Sequence, residues 1–144
     1  MRVEVVRVEL VRERSVSYAG RTIRSPRDAV RMVRPLIERS DRERFVALYL
    51  STRRTVHAIH EVGVGDIDSA PAHPREVFTA ALLANAAAVI VAHNHPSGDP
   101  EPSPDDVAVT KRLVEAGRLL GVELLDHLVI GDRAYVSLRE RGLV

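Results

Sequence analysis

From Val3 to Val11 small apolar residues alternate with Arg and Glu, on odd positions at Val3 and Val5 and on even ones at Val6, Val8 and Leu10. The alternation predicts a strand with a one-residue slip, as a bulge would give. Ser25-Pro26-Arg27-Asp28 then offers an N-cap, a proline at the first helical position and an acid at the third. Ala29, Val30, Val33, Leu36 and Ile37 follow at helical spacing, with Pro35 expected to kink or shorten the helix. The continuous apolar run Phe45–Leu50 has no helix-start signal and reads as a strand buried on both faces, with 55–64 as its neighbour. The Gly, Asp, Ser and Pro of Gly65 to Ala72 predict a loop. Pro74 opens an alanine-rich helix to about Ala86, and Ala87 to Ala92 is a second buried strand.

A proline-rich loop, His93 to Pro102, comes next, and Ser103-Pro104-Asp105-Asp106 repeats the helix-start signal for a helix through Leu120, closed by Gly121. Val122 to Ile130 and Ala134 to Ser137 read as two strands about a Gly131-Asp132 hairpin turn. Strands interleaved with helices predict an α/β (α+β) layer fold with one mixed β-sheet flanked by helices. Repeats, low-complexity segments and long linkers are absent from the sequence, so residues 1–144 are expected to form a single domain.

Composition narrows the chemistry. The 45% apolar content suffices for one core without staples, and the lack of cysteine excludes disulfides, thiolate metal sites and a thiol nucleophile. A metal would have to be held by His and carboxylate. The longest apolar run, Ala86 to Ala92, is too short for a membrane span, and Arg2, Glu4 and Arg7 make the start too charged for a signal peptide, so a cytoplasmic location is expected. Residues 1–54 carry 14 basic and 7 acidic side chains and the remainder 7 and 13, an asymmetry that fits either a nucleic-acid face or ordinary solvated surface. With only 3% aromatic residues, a stacking platform for single strands is not expected.

His93 and His95 stand where a buried strand runs into the proline-rich loop. In extended backbone such a pair projects to one side, toward a single ion. Asp106, eleven residues on in the first turn of a helix, can add a carboxylate, and two His with one carboxylate leave a tetrahedral position for water. Each piece also has a plainer reading: Ser103-x-x-Asp106 is a capping box like Ser25-x-x-Asp28, and the histidines could be strand-end polar groups. Asp126 and His127 could orient a ligand from behind or belong to the core, whereas His57, His60 and His73 have no spacing that marks them. Asp99, Glu101 and Asp105 place negative charge around the pair, or are solvated loop charge.

His93-Asn94-His95-Pro96, with Ser103 and Asp106 at that spacing, resembles the JAMM motif of the JAB/MPN+ zinc metallopeptidases. The fuller string Ala92 to Pro100 is similar to their bacterial RadC-like branch, and the resemblance runs from about Ser25 to Leu143, through His73–Phe78 and Asp126–Gly131. It implies a JAB/MPN-like, cytidine-deaminase-like fold and one Zn2+ per chain, held by His93, His95 and Asp106 with water in the fourth position. It also implies that Ser103 helps stabilise the oxyanion and that a strand glutamate serves as general base. Glu61 is the matching residue, with solvent-facing as its plainer reading and Glu76, at a helix start, as its rival. The implied function is a peptidase or isopeptidase acting on a peptide or protein conjugate through a metal-activated water. The alternative is a DNA-repair or nucleic-acid accessory protein whose zinc is not catalytic. Longer members carry a helix-hairpin-helix segment, for which residues 1–24, read as strand and turn, leave no room. The exposed edge of that first strand would allow a homodimer by strand pairing.

Overall fold

The computed structural model describes residues 1–38, 40–65 and 72–144. Five strands and three helices alternate as α1 (Pro26–Ile37), β1 (Glu43–Leu50), β2 (Val56–Gly65), α2 (Pro74–Leu83), β3 (Ala88–Asn94), α3 (Pro104–Leu120), β4 (Glu123–Ile130) and β5 (Tyr135–Ser137). The strands form one mixed sheet in the order β2-β1-β3-β4-β5, with β3 and β4 parallel and the other neighbours antiparallel. The expected loop between Gly65 and Ala72 lies, apart from its ends, outside the described residues.

Alternation along β1 sorts the core into two layers. Val46, Leu48 and Leu50 pack with Ala29, Val33 and Ile37 of α1, and Phe45, Ala47 and Tyr49 pack with Val77, Phe78 and Leu113 of α2 and α3. The mixed sheet is therefore covered by α1 on one face and by α2 and α3 on the other, as the JAB/MPN-like expectation required. β1 and β3 are buried almost throughout, which is why they read as continuous apolar runs.

Local signals act as their chemistry predicts. Pro35 sits near the end of α1, which stops two residues later with Glu38 N–H donating to Arg34 O at 2.8 Å. Gly121 closes α3 in the left-handed region at φ 74°, where a side chain is strained. α2 ends earlier than about Ala86, because Asn85 takes a left-handed φ of 52°.

Two expectations are corrected. Residues 3–11 form no strand: among the described residues their backbone has no sheet partner, and Val3, Val5, Val6, Val8 and Val11 are exposed. Alternation supplies faces for a strand but not a neighbour to pair with. Among the described residues the chain joins the fold from Tyr18, whose hydroxyl donates to Met32 O, and through the bridge Thr22↔Thr55. In addition, β3 runs through Asn94, so His93 belongs to the buried strand rather than to the loop.

Candidate metal centre

Strand register brings the centre together. Phe45 of β1 lies opposite His93 of β3, and the two rings stack with centroids 5.7 Å apart and planes 5° from parallel. Two residues before Phe45, and so on the same face, is Glu43, with its Oε1 3.6 Å from His93 Nε2. His95 follows just past the strand, with its amide on Ile130 O, and its Nε2 is 3.1 Å from that of His93. Asp106, in the first turn of α3, reaches both rings, Oδ1 lying 3.2 Å from His93 Nε2 and Oδ2 3.0 Å from His95 Nε2.

Ligand atoms of Glu43, His93, His95 and Asp106 all lie within 4.8 Å of one another. Three of these four were legible in the sequence. The chemistry of the donor set fits a divalent cation, since imidazole and carboxylate are the ligands a cysteine-free chain offers zinc or a similar ion.

The loop and cap aim these groups. Gly98 N–H donates to His95 O, and Asp132 N–H donates to Gly98 O at 2.7 Å, pinning the loop to the β4–β5 turn. That places the Asp99 carbonyl 2.8 Å from His95 Nδ1. A carbonyl only accepts, so Nδ1 carries a proton, and the neutral ring would present a bare Nε2 to the cluster. Ser103 Oγ accepts from Asp106 N–H at 3.1 Å, and Ser103 N–H donates to Asp106 Oδ2 at 2.8 Å. The capping box is thus real, and it also orients the carboxylate toward the histidines. Ser25 and Asp28 make a similar start on α1, but there, among the described residues, the Asp28 carboxylate accepts only from the amides of Arg24 and Ser25.

Burial alone would raise the pKa of Asp106, but the adjacent His93 and His95 and the Ser103 amide outweigh it and hold the group well below the usual carboxylate range. Its carboxylate in turn raises the pKa of His95, against the smaller opposing effect of burial. His127 is fully buried, and burial drives its pKa far below the ordinary value and keeps it neutral.

Glu61 is not brought to this cluster. It lies opposite Val46, on the α1 side of the sheet, and its exposed carboxylate accepts from Arg44 Nη1 at 2.9 Å. Glu43 and Phe45 occupy the other side. Glu76 is exposed in the first turn of α2. His73 caps α2, His57 meets Ala84 O, and His60 lies beside Tyr49. Asp126 accepts from Ser137 Oγ and from the amides of His127 and Arg139, a bracing role for the β4–β5 corner.

Sequence reasoning missed Glu43 and Asn94. Glu43 could have been found from its two-residue offset to Phe45, had β1 been known to border β3. The signal for Asn94 was its place between the histidines. Its side chain accepts from Arg44 N–H at 2.7 Å and donates to Arg42 O at 3.0 Å, gripping the backbone on both sides of Glu43.

Comparison with known proteins identifies the family of the chain. Residues 23–143 match the RadC-like JAB domain. A UPF0758 protein of Geobacillus sp. (strain WCH70) is 49% identical over 139 residues, which is 95% of this chain and 62% of that protein. UPF0758 proteins of Methanosarcina mazei and Moorella thermoacetica are 45% and 49% identical, over 92% and 95% of this chain and 58% and 60% of theirs. The chain therefore spans about three fifths of the length of these relatives. Among the described residues no helix is long and apolar enough to cross a membrane. With the match spanning residues 23–143, all five strands and three helices included, the chain belongs to the RadC-like JAB domain family.

Proposed function

We propose that this domain is a zinc-dependent hydrolase of peptide or isopeptide bonds in which Glu43 is the proton-transferring carboxylate. The observation that carries the reading is the convergence of Glu43, His93, His95 and Asp106 at one point between strand ends and a helix start. His93, His95 and Asp106 would hold the ion, one per chain. Bound there, it would lower the pKa of a water to about 7 and polarise the scissile carbonyl. Glu43, half-buried at the edge of the cluster, takes the proton of the attacking water and returns it to the amine as the C–N bond breaks. Ser103 Oγ already accepts from the Asp106 amide, so its own proton is free to be donated to the developing oxyanion.

Glu61 is the competing candidate for the base, and its pairing with Arg44 on the opposite side of the sheet favours Glu43. The test is a peptide and isopeptide cleavage screen with Glu43→Gln and Glu61→Gln. Loss of cleavage by 100-fold or more in Glu43→Gln, with Glu61→Gln near wild type, supports the reading. The reverse pattern overturns the assignment of the base. Absence of cleavage together with tight, strongly salt-dependent DNA binding that is indifferent to Glu43→Gln would favour the nucleic-acid accessory role.

A further inference from the structure

Behind the metal centre, on the far side of the His93 ring, lies a buried chain of polar groups that the proposed reaction does not use. His93 Nδ1 is 2.8 Å from His127 Nε2, and His127 Nδ1 is 2.6 Å from Thr110 Oγ1. Thr110 Oγ1 is also 2.7 Å from Asp106 O, the carbonyl one turn earlier in α3. His93, His127 and Thr110 are 1%, 0% and 0% exposed, so bulk solvent does not reach them.

Counting protons fixes the direction of the chain. Two short contacts meet at Thr110 Oγ1, each needing one hydrogen. The hydroxyl owns a single hydrogen and the carbonyl has none to give, so the hydroxyl donates to Asp106 O. His127 must then supply the second hydrogen from Nδ1. A neutral imidazole with a proton on Nδ1 is bare at Nε2, so His127 Nε2 accepts from His93 Nδ1–H. By the same rule a neutral His93 is bare at Nε2, the atom that faces His95, Asp106 and Glu43.

We infer that Thr110 and His127 are positioning residues that impose the Nδ1–H tautomer on His93 and so keep its Nε2 lone pair aimed into the metal centre. The device is anchored to the same peptide unit that carries Asp106, so one helix turn both presents a carboxylate and sets the tautomer of the histidine opposite it. Phe45 completes the restraint by stacking on His93 and meeting His127 edge-on, with ring centroids 5.4 Å apart in the second contact. The inference rests on the proposed metal site only for its functional consequence; the tautomer itself is a property of the metal-free chain.

The test uses the full chain in two measurements. Long-range 1H–15N correlation spectra of metal-free protein report which ring nitrogen of His93 and of His127 is protonated. The expected result is Nδ1–H for both, and an Nε2–H form of neutral His93 or His127 would overturn the inference. Zinc affinity, measured by competition with a chromophoric chelator, is then compared between wild type, Thr110→Val and Thr110→Ser, with circular dichroism confirming the fold. Thr110→Val is expected to bind zinc about ten- to a hundredfold more weakly, as loss of a group that orients a metal-bound histidine does, while Thr110→Ser stays near wild type. Equal affinity in folded Thr110→Val contradicts the device. If wild type binds no zinc the metal reading fails, and the spectra alone decide the tautomer; they decide it likewise if Thr110→Val does not fold.

Discussion

Asn94 Oδ1 accepts the backbone N–H of Arg44 at 2.7 Å, across the β1–β3 boundary and immediately beside Glu43. Together with the bond from Asn94 Nδ2 to Arg42 O, this holds the first residues of β1 against the strand that supplies the histidines. The residue between the two histidines therefore has its own task, positioning the carboxylate that faces them. Asn94→Ala is expected to lower kcat of the proposed hydrolysis by about tenfold or more, through misplacement of Glu43, while leaving zinc stoichiometry unchanged. The freed Arg44 amide should also cost about 1–3 kcal/mol, readable as a lower denaturation midpoint. Unchanged kcat in a folded Asn94→Ala would show that Asn94 does not position Glu43.

Protonation of the cluster gives a pH signature in chelator-treated protein. The Asp106 carboxylate raises the pKa of His95 in the fold, so this pair adds stability below about 6.5, where the unfolded imidazole is also protonated, and loses it as pH rises through the raised folded value. Asp106 is held below the usual range despite its burial, so its contribution is present above about 3.9 and fades as pH falls. Thermal scans should therefore show stability from the pair between about pH 4 and 6.5, falling toward pH 8. Asp106→Asn should flatten the fall, and added zinc at pH 8 should restore what is lost. A wild-type profile that rises steadily from pH 6 to 8 and matches Asp106→Asn would contradict this coupling.

The loop that aims His95 depends on a glycine in the β4–β5 turn. A Cβ at Gly131 would collide with Gly98 O and with Pro100, so Gly131→Ala must push the loop away from the turn. The predicted cost is about 1–3 kcal/mol of overpacking, with weaker zinc binding because the Asp99 carbonyl no longer fixes His95 Nδ1. Chemical denaturation and chelator competition measure the two effects, and a Gly131→Ala protein with wild-type values in both would show that the loop is not held there.

Much of the fold was legible because its signals are local. Caps at Ser25 and Ser103, the prolines at both helix starts and Gly121 fix helix bounds through bonds within a few residues. His93 and His95 were legible for a related reason, since two positions apart in extended backbone they share a direction, whereas Asp106 read equally well as a helix cap and joined them through the resemblance to the JAMM motif. The two Ser-Pro-x-Asp starts show the limit of such reasoning. Asp28 and Asp106 make similar bonds to their own caps, and only the sheet behind Asp106 supplies histidines. Glu43 was invisible because its role depends on β1 lying between β2 and β3, a pairing no local pattern encodes. Glu61 sits on the neighbouring strand, but the side of the sheet it faces follows from the β1–β2 register, which slips between Phe45 and Val46. The alternation of residues 3–11 likewise states a preference that only a pairing partner can satisfy.

The metal centre is tested by elemental analysis of the purified protein beside His95→Ala and Glu43→Gln. About one zinc per chain is expected in wild type, lost in His95→Ala, where one of the two imidazole ligands is gone, and kept in Glu43→Gln, whose side chain stands at the edge of the cluster. Wild-type protein without zinc even after loading, or His95→Ala holding as much as wild type, would contradict it and leave Ser103 and Asp106 as a helix cap.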